Sequence, residues 1–177
     1  SNVAAGIELW FHGTDFPSCE GILSQGIKFY DNGGSHDFGI DPAFYLSKSV
    51  DYVHNFTRMM TTFTHHVHLF AIIVFKVPSL NIISGLFDEE DDSQTGLNIV
   101  SLEDGKKWKD TVYYSLEKKR DELREAYPDV YNADIVHGKI PHILINIFKN
   151  NYDDIKPSDD YQIALKTEKA ARIFEKY

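Results

Sequence analysis

The apolar positions of this chain fall into short runs whose lengths and residue types are typical of β-strands. The clearest run covers residues 67–77, is rich in β-branched and aromatic side chains, and ends at Pro78, which cannot donate to a sheet. Further strands are predicted at residues 7–11, 43–46, 133–136 and 161–165. Of these, the strand at 43–46 is expected to be buried.

Segments with helical spacing separate these strands at irregular intervals. The longest helix is predicted over residues 104–127, because one face is charged and Pro128 closes it. Shorter helices are predicted at residues 20–24 (capped by Asp15 or Ser18 and stopped by Gly26), at residues 47–58, and from Thr167 onward. Strands and helices do not alternate as in βαβ units, so the pattern predicts an α+β fold.

Two polar segments are predicted as loops. Residues 31–35 combine Asp, Asn, Gly and Ser, which is strong turn chemistry. Residues 86–95 contain five consecutive carboxylates at 88–92, but they lack the alternating ligands and the glycine of a calcium loop. This acidic segment is therefore interpreted as a solvated turn.

Composition fits one domain over residues 1–177, with 42% apolar and 14% aromatic residues. Residues 1–6 are interpreted as a start that is disordered or not native to the protein. No apolar segment is long enough to span a membrane, and no membrane partner is expected. The net charge of −9 argues against a surface that follows nucleic-acid phosphates, although modification of a nucleic-acid end stays open.

The sequence offers little for a disulfide or a metal ion. Cys19 is the only cysteine, which excludes an internal disulfide and a zinc site built on cysteines. His66 and His68 share one face of a predicted strand, with His65 beside them, yet no third ligand stands at a diagnostic spacing. No metal is therefore predicted. A reducing compartment, the cytoplasm, is the simpler expectation, with export by another route left open.

Two motif blocks in the first third of the chain carry the candidate chemistry. They comprise Leu-Trp-Phe-His-Gly-Thr at 9–14, Gly-Ile-Leu-Ser-Gln-Gly at 21–26, Asp-Phe-Gly at 37–39, Ala-Phe-Tyr-Leu at 43–46 and Ser-Lys-Ser-Val-Asp-Tyr at 47–52. Together they resemble the catalytic domain of poly(ADP-ribose) polymerases, in the diphtheria-toxin-type part of the ADP-ribosyltransferase superfamily. The resemblance covers residues 7–56, and later segments are more similar to a small microbial or viral branch.

The resemblance implies the ADP-ribosyltransferase fold: a split sandwich of two small antiparallel sheets, flanked by helices, with NAD in the cleft. It implies that His12 holds a hydroxyl of the adenosine ribose and that Gly13 holds the nicotinamide carboxamide through its backbone. Tyr45 and Tyr52 would stack on the two faces of the nicotinamide, and Ser49 would bond the carboxamide.

The chemistry of NAD explains why these residue types suit it. Nicotinamide is flat and cationic, so each tyrosine ring adds stacking and cation–π attraction of about 1 kcal/mol. A glycine allows close backbone approach to the carboxamide. By the same resemblance, Thr14 completes the NAD-binding motif and residues 28–37 stand where the family's donor loop covers the cofactor.

The third catalytic position departs from the polymer-forming members, which carry a glutamate at the start of a late strand. Here the last predicted strand places Gln162 at that position, and Asp159 and Asp160 compete if the alignment shifts. Glutamine can accept a ribose hydroxyl bond but cannot act as a base. The resemblance therefore implies single transfer of ADP-ribose from NAD to a protein acceptor, with His12, Tyr45 and Gln162 as catalytic residues.

Two other functions stay open from the sequence. If the same residues used water as the acceptor, the protein would be an NAD glycohydrolase. If they bound NAD or ADP-ribose without catalysing a reaction, it would be a binding module. Packing is the alternative role for His12, Tyr45 and Tyr52. Trp108 is expected to pack the long helix onto the sheet, with a place in the cavity left open.

Overall fold

The computed structural model describes residues 6–29, 37–64, 69–80, 96–103, 105–142 and 151–176. The strands among these residues are β1 (Ile7–Asp15), β2 (Phe44–Ser47), β3 (Phe70–Pro78), β4 (Ile99–Leu102), β5 (Ile135–Pro141) and β6 (Pro157–Leu165). The helices are α1 (Phe16–Gln25), α2 (Val50–Thr64), α3 (Lys106–Leu116), α4 (Arg120–Ala126), α5 (Pro128–Tyr131) and α6 (Glu168–Glu175). The predicted α+β class is confirmed.

The six strands form one mixed sheet in the order β3–β1–β2–β6–β5–β4. β4 and β5 run parallel, and every other neighbouring pair is antiparallel. The resemblance implied two small antiparallel sheets, so the single mixed sheet differs from that expectation. The parallel pair depends on β4, a four-residue strand that was not predicted from the sequence.

The sheet is nearly divided between β1 and β2. These strands pair at one position, Phe11 opposite Ser47, whereas β1 pairs with β3 along its whole length. β2 in turn pairs along its whole length with β6. The sheet therefore consists of a two-stranded unit, β3–β1, and a four-stranded unit, β2–β6–β5–β4. We call the Phe11–Ser47 pairing the junction.

Each face of the sheet packs against its own hydrophobic core. Along β6, Ile163 and Leu165 belong to one core and Ala164 to the other, since successive side chains of a strand point to opposite faces. The first core contains Trp10 of β1 and Phe174 of α6. The second core includes Phe38, Val100, Leu102, Trp108, Val112, Val130, Val136 and Ile155.

The ends of the first and last helices follow the signals in the sequence. Asp15 is the N-cap of α1, and its carboxylate accepts the Ser18 N–H at 2.8 Å. Gly26 ends α1 with a φ of 82°, a conformation that favours glycine. Thr167 caps α6 by accepting the Ala170 N–H at 3.3 Å.

The last helix is also fastened to the end of α1. Glu175 Oε1 accepts the backbone N–H of Ile27 at 2.6 Å, just after α1 has ended. Ile27 and Phe174 belong to the same core. Segments that are far apart in sequence are therefore held together beside the first motif block.

The single helix predicted over residues 104–127 is wrong. α3 ends at Leu116 and α4 begins at Arg120, and between them Lys118 has a φ of 54°. A residue with left-handed backbone cannot continue a right-handed helix, and a periodicity argument does not detect such a break. Pro128 then begins α5.

β1 extends further than predicted, through the motif that was expected to follow it. His12 pairs with Ile73 and Thr14 with Ala71, so the His-Gly-Thr motif lies inside the strand. The motif backbone is thus held by β3 on one side. Because β1 has diverged from β2 at this point, its other edge faces the gap beyond the junction.

Some predictions concern residues outside the described ones. They are the loops at 31–35 and 86–95, the histidines His65, His66 and His68, and most of the start at 1–6. Gly6 is described, and its carbonyl accepts the Ser79 N–H at 2.8 Å, so this residue is tied to the end of β3. In the described part of the chain no helix is long and apolar enough to cross a membrane.

Gly138→Ala should destabilise the fold, because a Cβ there would collide with the backbone carbonyl oxygen of Leu102 in β4. Gly21→Ala is the control, since a Cβ on this residue of α1 meets no atom within 4 Å. In urea unfolding, we expect the free energy to fall by about 1–3 kcal/mol for Gly138→Ala and to rise by about 0.5–1 kcal/mol for Gly21→Ala. Equal stability of the two variants would contradict the close packing of β4 on β5.

Candidate functional site

A cavity of about 420 Å³ lies beside the junction. Its walls come from β1, β2, α2 and β6, and from the segment before β2. We call it the tyrosine cavity, and its lining residues include His12, Gly13, Asp37, Tyr45, Tyr52, Thr57 and Gln162. The fold thus brings predicted site residues from the two motif blocks and from the last strand to one cavity.

A second cavity, of about 360 Å³, adjoins the first. His12 and Ala43 line both cavities. We call the second one the α1 cavity; its polar lining residues are His12, Thr14, Ser18, Gln25 and Lys28. Two cavities that meet at one histidine can hold the two halves of an extended ligand.

His12 is fixed as a neutral imidazole between the cavities. Its Nδ1 lies 2.7 Å from the carbonyl oxygen of Tyr45, so Nδ1–H donates to that carbonyl and bridges the gap between β1 and β2. The ring stacks on Phe44 with 3.9 Å between centroids. Burial lowers the pKa of His12 to about 4, although the bond to Tyr45 acts in the opposite direction. In this tautomer Nε2 is an acceptor for a ligand hydroxyl.

Tyr45 and Tyr52 face the tyrosine cavity as neutral phenols. Burial, reinforced by the charge of Asp37, raises the pKa of both tyrosines. The Tyr45 hydroxyl accepts the N–H of Phe38 at 3.2 Å. Tyr52 lies in the first turn of α2, and its ring lies nearly parallel to that of Phe56, with 5.9 Å between centroids. Both tyrosines can therefore offer π faces to a cationic ring.

Gln162 and Asp37 form a hydrogen-bonded pair in the same cavity. Gln162 lies in β6 opposite Ser47, is 5% exposed, and its Nε2 donates to Asp37 Oδ2 at 2.9 Å. Burial raises the pKa of the Asp37 carboxyl, and the bond from Gln162 opposes part of that shift. Sequence reasoning did not single out Asp37. Its one signal was its place at the head of the Asp-Phe-Gly motif.

The two carboxylates that competed with Gln162 lie elsewhere. Asp160 shares a strand face with Gln162, and its charge contributes to the raised pKa of Tyr52. Asp159 points to the opposite face and is exposed. Of these three residues, Gln162 is the one that lines the tyrosine cavity.

Gly13 has a packing role that the sequence did not reveal. A Cβ at Gly13 would overlap the side-chain oxygen of Thr57 and lie 2.9 Å from Val53 Cγ1, both in α2. The missing side chain thus lets α2 approach β1 closely. Thr57, which was not predicted, lines the cavity, and its buried Oγ1 has no hydrogen-bond partner among the described residues. An unpaired buried hydroxyl is costly unless a ligand satisfies it.

Ser49 lies at the start of α2, outside the set of residues that line the tyrosine cavity. Its Oγ accepts the N–H of Tyr52 at 3.1 Å, which is the geometry of a helix cap. Ser47 is the serine of this motif that lines the cavity, and it donates to the carbonyl of Tyr161 at 2.7 Å.

Trp108 belongs to the second core and lines neither cavity. It is 2% exposed, and its Nε1–H donates to the carbonyl of Lys139 at 2.8 Å. The expected packing role is therefore the one observed. Within the described ranges, no group of three His, Cys, Asp or Glu residues could hold a metal ion.

We expect His12 to stay neutral at physiological pH, because burial lowers its pKa to about 4. In the unfolded chain a histidine takes up its proton at a pH of about 6.5, whereas His12 in the folded chain does so only near its lowered pKa. The free energy of unfolding therefore decreases as the pH falls from the unfolded pKa towards the folded pKa. In NMR titration, the Cε1–H resonance of His12, assigned with His12→Gln, should show a midpoint of about 4. A midpoint at the unfolded value or above it would contradict a shielded ring.

The chain has no match among protein-family models, curated proteins or solved structures. Function is therefore inferred from the residues and from the geometry of the two cavities.

Proposed function

We propose that the chain is a mono-ADP-ribosyltransferase that cleaves NAD, releases nicotinamide and transfers ADP-ribose to a protein acceptor. We propose with it that the nearly divided sheet is a form of the ADP-ribosyltransferase fold. The observation that carries the proposal is the meeting of two cavities at His12, one lined by two tyrosines and Gln162.

The two cavities suit the two ends of NAD. The nicotinamide and its ribose would occupy the tyrosine cavity, where Tyr45 and Tyr52 offer rings to a cationic aromatic. The adenosine half would occupy the α1 cavity, with a ribose hydroxyl donating to His12 Nε2. Lys28 is the cationic side chain that lines the α1 cavity and can face the diphosphate.

The carboxamide of nicotinamide needs a donor and an acceptor near Gly13. The edge of β1 that faces away from β3 offers backbone groups there. Thr57 adds a buried hydroxyl that has no partner among the described residues. We assign the side-chain contact to Thr57, because Ser49 caps α2 and does not line the cavity.

Bond cleavage places positive charge on the ribose, and the site must orient that sugar. Gln162 lines the cavity and can accept a hydroxyl of the ribose through Oε1, since its Nε2 is already bonded to Asp37. A neutral amide cannot activate a sugar hydroxyl as an acceptor, which supports single transfer over polymer growth.

NAD or ADP-ribose binding without turnover is the second candidate function. The observation that favours it is the uncharged side chain at Gln162, at the position where polymer-forming members carry a glutamate. NAD hydrolysis uses the same residues with water as the acceptor. Transfer, hydrolysis and binding alone differ in what happens to nicotinamide and to the label of labelled NAD.

With adenine-labelled NAD and a cell lysate, the wild-type chain should release nicotinamide and leave label on protein. Release without labelled protein identifies a hydrolase, and NAD binding without release identifies a binding module. His12→Ala and Gln162→Ala should each lower the rate of nicotinamide release at least about tenfold, because each removes a hydrogen bond to a ribose hydroxyl. His142→Ala, at an exposed position that lines neither cavity, is the matched control.

Thr57→Val and Ser49→Ala test whether Thr57 or Ser49 contacts the carboxamide of nicotinamide. Thr57→Val keeps the shape of the side chain but removes the buried hydroxyl, so we expect the KM for NAD to rise about tenfold without loss of stability. Ser49→Ala should cost about 1 kcal/mol of unfolding free energy by removing the cap, with KM nearly unchanged. The reverse pattern would return the carboxamide contact to Ser49. Initial rates and urea unfolding measure the two effects.

A further inference from the structure

Asp37 is a partly buried carboxylate in the tyrosine cavity that the roles given above leave without a function. It lines the cavity together with both tyrosines and Gln162. Its Oδ2 accepts the Gln162 Nε2–H at 2.9 Å, a contact between segments that are far apart in sequence. Its charge acts on both Tyr45 and Tyr52, which line the walls of the same cavity. The hydrogen bond from Gln162 therefore holds the Asp37 carboxylate at a defined position in the cavity wall.

The ligand chemistry needs a negative charge at this place. The nicotinamide ring of NAD is cationic, and the ribose becomes cationic as the glycosidic bond breaks. A fixed carboxylate that is partly removed from water stabilises such charge more than it would in bulk solvent. Asp160 also lies on the Gln162 side of β6, but it does not line the cavity.

We propose that Asp37 and Gln162 divide two tasks: Gln162 Oε1 orients the ribose hydroxyl without deprotonating it, and Asp37 supplies the negative charge and takes the proton of the protein or water acceptor. This inference rests on the proposed cleavage of NAD. It makes Asp37 a catalytic residue and gives Gln162 a second task, which is to hold Asp37 in place.

The bond changes balance without a further reactant. The bond between the ribose C1′ and nicotinamide N1 breaks, and its electron pair goes to N1, which neutralises the pyridinium. The acceptor atom, with its hydrogen, then bonds to C1′. Asp37 takes the hydrogen of that atom as a proton and later passes it to solvent. An amine or hydroxyl of a protein gives transfer, and water gives hydrolysis.

Asp37→Asn tests the inference because it keeps the shape of the side chain and removes the charge. We expect the kcat for nicotinamide release to fall about 100-fold or more. The affinity for ADP-ribose, a probe that lacks the cationic ring, should stay within about threefold of wild type because charge on nicotinamide is absent from it. Asp159→Asn, the same change at an exposed position on β6, is the matched control and should leave kcat unchanged.

A double variant that exchanges the carboxylate of Asp37 and the amide of Gln162 provides a second, independent test. Asp37→Asn with Gln162→Glu restores one amide and one carboxylate, with the hydrogen bond reversed. We expect it to recover at least about tenfold of the lost kcat, since a charge is again present in the cavity. Thermal unfolding serves as the structural readout. Burial raises the pKa of Asp37, so the ionised group costs stability at neutral pH, and Asp37→Asn should melt no lower than wild type.

Two results overturn the inference while the proposed function stands: Asp37→Asn turning over NAD within about threefold of an active wild type, or no recovery in the exchanged variant. A melting temperature of Asp37→Asn more than about 5 °C below wild type would assign Asp37 a structural role and also overturn it. Absence of nicotinamide release by the wild type itself overturns the proposed function and the inference with it.

Discussion

The rest of the structure depends on the limited pairing between β1 and β2. Their single paired position at Phe11 and Ser47 holds two parts of the sheet together and lets the strands diverge beyond it. The hydrogen bond from His12 to the Tyr45 carbonyl crosses the gap where a second strand pairing would have been. Beyond the junction, the backbone of β1 is therefore not paired with β2, and the histidine bridges the opening between the two strands.

Charge in the tyrosine cavity is concentrated on one group. His12 is neutral because burial lowers its pKa, whereas the two tyrosines, neutral at their ordinary pKa, are kept so by burial that raises it further. Asp37 is the remaining titratable side chain among the residues that line the cavity. A cavity with one carboxylate favours a flat cation over a neutral or anionic ring of the same shape, because the cation offsets the charge of that carboxylate.

Patterns that act locally were readable in the sequence, and those that depend on distant partners were not. Asp15, one of the two predicted caps, begins the first helix, and the last helix begins at Thr167 as predicted, because a cap needs only the next few residues. The break at Lys118 escaped detection, since nothing in the spacing of apolar residues marks a left-handed backbone at a lysine. Asp37 escaped for another reason. Asp37 is placed at the site by its contact with Gln162 in β6, and a contact between residues so far apart in sequence leaves no local sequence pattern.

Gly13 has a role in the structure that differs from the one for which the resemblance singled it out. The resemblance suggested a glycine for the sake of the ligand, whereas the structure shows that Thr57 and Val53 of α2 occupy the space of its side chain. Close packing of α2 on β1 and access to the β1 backbone are two demands on one residue. The first is observed in the structure, and the second belongs to the proposed function.

The strand order also has a consequence for the life of the protein before it is complete. Residues 7–56 carry both motif blocks, yet β2 has its main partner in β6, and the end of α1 is fastened by Glu175. The ribosome must therefore synthesise the chain through β6 before the cavity can form. Until then, the edge of β2 that pairs with β6 remains unpaired. Contacts so distant in sequence slow folding and leave apolar strands exposed meanwhile. The tyrosine cavity is thus completed late in synthesis, and the segment that carries the motifs cannot form it alone.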